Sequence, residues 1–100
     1  MLINDVKFPE DRLADICRRY GCARLSVFGS ILRDDFRLDS DVDMLVEFMP
    51  ATRIGLIGVA NMEAELGEAI GRRVDLRTAA DLSRYFRNEV VEGARLLHAA

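Results

Sequence analysis

One hundred residues, half of them apolar and 31% charged, make an ordinary globular composition that argues against disorder. Such a length gives room for one core but not for a separate substrate-recognition domain, so residues 1–100 are expected to form a single domain. Fourteen basic residues against seventeen acidic ones leave a formal charge of −3, which argues against nucleic acid as the main partner, because phosphate-backbone affinity rests on clustered Lys and Arg.

The opening stretch, MLINDVKFPED, has no basic segment followed by an apolar run and is no signal peptide. Pro9 to Tyr20 predicts a first helix. Pro9 fits the first helical position, Glu10 and Asp11 suit the positive end, and Arg18 and Arg19 suit the negative end. Leu13, Ile16, Cys17 and Tyr20 give it one apolar face, and Gly21 stops it. Cys17 therefore reads as a reduced core residue. With only Cys22 beside it and His98 far away in sequence, neither a zinc site nor a disulfide framework is indicated.

Ala23 to Phe28 reads as a short strand ending at Gly29, and a short helical turn is expected from about Ile31. Val42 to Phe48 is the clearest strand: Val42, Met44, Val46 and Phe48 alternate onto one side, with Asp41, Asp43, Leu45 and Glu47 on the other. Leu56 to Ile70 predicts a helix with Val59, Met62, Leu66 and Ile70 on one face. The longest apolar stretch, around Ile54 to Met62, is too short to span a bilayer, and a cytoplasmic protein is expected. Arg73 to Arg77 makes a third strand. Ser83 to about Leu97 predicts a last helix, with Phe86, Val90, Ala94 and Leu97 in register and Ser83 as N-cap. Gly93 inside it costs about 1 kcal/mol relative to Ala. This order predicts a small α/β (α+β) fold with helices packed on a mixed β-sheet.

Two places carry chemistry. On a strand, Asp41 and Asp43 would stand on one face about 7 Å apart at their Cα atoms, where two carboxylates repel unless a cation lies between them. Mg²⁺ is the natural candidate, since it binds through one or two carboxylates plus substrate phosphates. The plainer reading is a polar strand end facing water. At Gly29-Ser30, glycine lets the backbone approach a ligand, the amides of a helix start can hold an anion, and Ser30 adds a hydroxyl. Arg33 lies one turn on and can reach the same anion. The alternative there is a tight turn capped by Ser30, with Arg33 paired to a nearby Asp. Taken singly, each fragment favours its plainer reading; together they place a phosphate cradle beside a metal site.

The stretch VFGSILRDDFRLDSDVDMLVEF resembles the Gly-Ser…Asp-x-Asp signature of the polymerase β-like nucleotidyltransferase superfamily. It is especially similar to the minimal nucleotidyltransferases that act as antitoxin partners of HEPN-domain toxins. The likeness continues through LGEAIGRRVDLRT and DLSRYFRNEVVEGARLLH, from about Leu13 to the last residues. The resemblance implies that Gly29 and Ser30 bind a triphosphate, that Asp41 and Asp43 hold divalent metal, and that Asp75 is the third carboxylate. Flanked by Val74 and Leu76, which would point oppositely into a core, Asp75 suits that place. The implied reaction is Mg²⁺-dependent transfer of AMP from ATP, with two ions, to a protein hydroxyl, a tyrosine of the cognate HEPN toxin. Arg33 would neutralise phosphate charge.

Asp34 departs from the pattern, standing where many relatives have Gly; it can face away and pair with Arg33 or Arg37. His98 stands near a place where relatives often show an aromatic residue, and reads as a terminal side chain, not a catalytic base. Glu47 shares the face of Asp43 with no role beyond support. Two other functions are open to such a sequence: an antitoxin that neutralises its toxin by binding alone, and nucleotidyl transfer to a small molecule, which would need a substrate domain. A small site with an open acceptor side suggests association with a partner or with a second copy.

Overall fold

A computed structural model describes residues 1–100. A short hairpin opens the chain, β1 (Leu2–Ile3) with β2 (Val6–Lys7), joined by Asn4 and Asp5 at φ 50° and 66°. Positive φ at both central residues is what a two-residue hairpin turn of matching twist demands, and Asn and Asp tolerate it best after Gly. Ile3, Val6 and Phe8 put this hairpin into the core.

The helix α1 (Glu10–Tyr20) buries Leu13, Ile16 and Cys17, and stops at Gly21 in the left-handed conformation. Four strands form the main sheet in the order β5-β4-β3-β6. They are β3 (Cys22–Phe28), β4 (Val42–Phe48), β5 (Val74–Arg77) and β6 (Arg95–Ala99). β3 is antiparallel to both of its neighbours, whereas β4 and β5 run parallel, joined through α2 (Leu56–Ile70). Both long helices cover one face. Leu25 and Val27 of β3, Val42, Met44 and Val46 of β4, and Val74 and Leu76 of β5 point at them and meet Met62, Leu66 and Ile70 of α2. The strand residues between them, Arg24, Ser26, Asp43, Leu45, Glu47, Asp75 and Arg77, are left on the second face. The predicted mixed sheet with helices on it is therefore observed, with the alternation of β4 as read. No helix is long and apolar enough to cross a membrane.

The end of the chain differs from expectation. The last helix, α3, is only Arg87–Gly93 and buries none of its side chains; Phe86 is 49% exposed. Ser83 sits four residues before it, in a turn where its hydroxyl accepts from the Tyr85 amide, and is not the cap. Ala94 turns extended (φ −66°, ψ 142°), and Arg95–Ala99 pairs with β3 as β6. Gly93 weakens the helix at that point, and the free edge of β3 offers backbone partners that a surface helix would leave unmet. Leu97 packs on the core from a strand, not from the helical stripe expected for it.

Leu66 is fully buried between α2 and the sheet. Leu66→Ala is expected to lower the free energy of unfolding by about 2–5 kcal/mol, read from the urea midpoint at unchanged slope.

Candidate active site

The end of β3, the start of β4 and the start of β5 meet on the second face of the sheet. In the register of these strands Phe28 lies opposite Asp43, and Asp43 lies beside Asp75. Neighbouring strands are about 4.8 Å apart, so the two carboxylates share one patch of surface. Asp41 precedes the first residue of β4 and is exposed, whereas Asp43 and Asp75 are half-buried.

Gly29 closes β3 at φ 77°, a conformation that disfavours any side chain. A Cβ there would also collide with the carboxylate of Asp43. Glycine is thus required twice, for the turn and for the approach of the backbone to Asp43. It opens a single 3₁₀ turn, Gly29–Leu32, in which Ser30 is half-buried and Ile31 buried. The amide of Asn4, at the tip of the N-terminal hairpin, donates to the carbonyls of Ile31 (3.2 Å) and Arg33 (3.0 Å), and so ties down the far side of that turn.

A second tie holds the loop leading to Asp41. Arg72 donates through Nη2 to the carbonyls of Arg37 and Ser40, each at 2.8 Å, and its guanidinium lies 4.7 Å from the centre of the Phe36 ring. Gly71, left-handed at φ 70°, ends α2 and turns the chain so that Arg72 leaves toward that loop. The backbone of Arg73 then accepts from the Val42 amide, which starts the β4–β5 pairing.

Burial raises the pKa of Asp43, and the Asp75 and Asp41 carboxylates push it the same way, against Arg77 and Arg33. No three Asp, Glu, His or Cys side chains close into a metal cage. Asp75 instead turns to Arg77, with Oδ2 3.2 Å from Nη2. The patch is an open, oxygen-only face, which fits a hard divalent cation that completes its shell with water and phosphate oxygens. Asp41, Asp43 and Asp75 are the carboxylates that would hold one, once drawn together. An apolar hollow of about 310 Å³, lined in part by Leu45, Phe48, Ala80 and Val91, continues this face along β4.

Of the six residues singled out from the sequence, Gly29, Asp41, Asp43 and Asp75 come together here, and Ser30 follows Gly29 on the same turn. Arg33 stays on the rim, paired with Asp35 (Nε to Oδ1 3.1 Å) as in the plainer alternative, and its partner is not Asp34. Asn4, Arg72 and Arg77 were not anticipated. The Asn4-Asp5 pair, two residues that tolerate positive φ, is the one local signal of the turn that carries Asn4. Arg72 had none, because its partners are backbone carbonyls 35 and 32 residues away.

Residues 10–97 match the family described as nucleotidyltransferase domain. A Methanocaldococcus jannaschii protein, provisionally named a protein adenylyltransferase, is 30% identical over 94 residues, which are 94% of this chain and 96% of that one. The solved structure of a provisionally named minimal nucleotidyltransferase superposes with a TM-score of 0.69 at 33% identity, covering 85% of each chain. A Shewanella oneidensis complex of a tri-AMPylated HEPN toxin with its MNT antitoxin matches in fold, at 20% identity and a TM-score of 0.63 over 91% of this chain and 70% of that one. With the family matched along nearly its whole length and the fold shared with minimal nucleotidyltransferases, this chain belongs to the nucleotidyltransferase domain family.

Proposed function

We propose that the chain is an antitoxin that transfers AMP from ATP to a protein hydroxyl, a tyrosine of a cognate HEPN toxin, with Mg²⁺ held by Asp41, Asp43 and Asp75. The observation that carries this reading is the alignment of Asp43 with Asp75 beside a glycine turn that only glycine can make. Support for the acceptor comes from the relative named a protein adenylyltransferase and from the fold shared with the antitoxin of an AMPylated toxin.

The bound cation would offset phosphate charge and lower the pKa of the acceptor hydroxyl. The chain's own residues do the rest. Gly29 and Ser30 present backbone and hydroxyl donors to the triphosphate at the mouth of β3. Asp75 accepts the proton of the tyrosine hydroxyl as its oxygen attacks the α-phosphorus. A new phosphorus–oxygen bond forms, the bond between the α-phosphorus and the bridging oxygen breaks, and pyrophosphate leaves. The open acceptor side and the absence of a deep pocket near the carboxylates suit a protein surface that brings its own tyrosine to the site.

The direct test is incubation with Mg²⁺, α-labelled ATP and the protein encoded next to this chain. Label should appear on a tyrosine of that protein, and the Asp41→Asn/Asp43→Asn pair should cut its rate at least about 100-fold. Toxin neutralisation that survives the double substitution in full would show that binding alone accounts for the antitoxin effect. Gly29→Ala is expected to lower stability by about 1–2 kcal/mol through its left-handed backbone. It should also slow transfer more than tenfold at saturating ATP, as the methyl group displaces the Asp43 carboxylate.

Asp43 also gives a pH signature. Its folded pKa lies above the unfolded value of about 4, so the folded state binds its proton more tightly. The associated stability is present below pH 4 and is lost as pH rises through the folded pKa. Asp43→Asn removes that loss. Without divalent cations it should raise Tm at pH 7 and leave Tm at pH 3 unchanged. Scanning calorimetry at the two pH values, with and without Mg²⁺, measures this; Mg²⁺ should stabilise the wild type more than the variant.

A further inference from the structure

We propose that Arg77 is a resident counter-cation of the carboxylate site, holding Asp75 until a divalent cation takes that carboxylate and then serving the phosphates of the nucleotide. The inference rests on the metal-nucleotide reading above and assigns a residue that the sequence pattern does not mark. Arg77 stands two residues after Asp75 on the edge strand β5, beside Leu45, and so shares the second face of the sheet with Asp43 and Asp75. Its Nε lies 3.3 Å from each Asp75 oxygen and its Nη2 3.2 Å from Oδ2.

Three features separate this pair from an incidental surface contact. First, no other ion pair involves Asp41, Asp43 or Asp75. Arg77 is therefore the cation committed to the site, while Arg33 is held by Asp35 and Arg72 by backbone carbonyls. Second, the guanidinium faces both oxygens of Asp75, yet the two side chains stay 47% and 38% exposed, so water and an incoming cation can reach the carboxylate. A solvated pair exchanges partners at little cost. Third, the exchange is chemically matched. A divalent cation outcompetes one guanidinium for a carboxylate oxygen, and the freed planar fork suits a phosphate that arrives with that cation.

The test uses the full chain as wild type, Arg77→Gln and Arg77→Lys, with circular dichroism to show that the exposed substitutions leave the fold intact. Mn²⁺ alone is titrated at low ionic strength and read by the loss of free-ion paramagnetic resonance. ATP is titrated separately by calorimetry into chain saturated with Mn²⁺. Removing a unit positive charge at this range should tighten Mn²⁺ about three- to tenfold in Arg77→Gln. ATP should bind the Mn²⁺-saturated form of the same variant at least about fivefold more weakly than the Mn²⁺-saturated wild type, and Arg77→Lys should recover most of that loss. A structural role alone would not move the two affinities in opposite directions. Mn²⁺ affinity that is unchanged or weaker in Arg77→Gln, or ATP affinity that is unchanged, overturns the proposal and leaves the metal site standing. A wild-type chain that binds no Mn²⁺ overturns both.

Discussion

Alternation along β4 and β5 sets the register on which the rest of the structure depends. Val42, Met44 and Val46 must face the helices, and so must Val74 and Leu76, because each is buried against α2 or its neighbours. A slip of one residue would turn every one of these side chains to solvent. Pairing Val42 with Val74 and Met44 with Leu76 leaves one arrangement for the residues between them: Asp43 beside Asp75. Like charges are thus forced together by apolar packing on the opposite face. Burial first, and then the neighbouring Asp75 carboxylate, raise the pKa of Asp43, and a bound cation would offset both.

The turns around this patch are held from outside it. Asn4 reaches over from the N-terminal hairpin to the Gly-Ser turn, and Arg72 reaches from the end of α2 to the loop before Asp41. Both bind carbonyl oxygens, so they fix backbone and leave the functional side chains free. Glu63 does similar service at the sheet edge, accepting from the Leu76 amide at 2.8 Å and so meeting a backbone donor of β5. The packed side of the sheet supplies rigidity, and the open side supplies charge. A small chain can support a reactive patch in this way without a deep pocket, provided that the acceptor surface comes from elsewhere.

Much of this was legible from residue patterns. The helical faces of α1 and α2 and the alternation of β4 carried strong periodic signals; Gly29, Ser30, Asp41 and Asp43 stood out by their spacing, and Asp75 only through the family resemblance. The misread segment is instructive. Phe86, Val90, Ala94 and Leu97 have helical spacing, yet Phe86 is half exposed and Leu97 reaches the core from β6. Short apolar runs near a glycine fit helix and strand about equally well, and the open edge of β3 made the choice. The hairpin at residues 1–7 leaves no periodic trace, because its strands are only two residues long, below the length at which alternation shows.

By itself, then, the sequence determined the local geometry: which faces are apolar, where glycine must bend the chain, and that two acidic residues share a strand face. Those properties depend on neighbours a few positions apart, and periodicity reports them directly. Only the tertiary structure decided that Asp75 stands beside Asp43, that Asn4 and Arg72 clamp the two loops, and that Arg77, not Arg33, is the guanidinium in contact with a site carboxylate. Each of these joins separate elements or chooses between equally spaced candidates. Pairing register and long-range hydrogen bonds to backbone carbonyls leave no pattern in the residue order, and so they appear only once the sheet has closed.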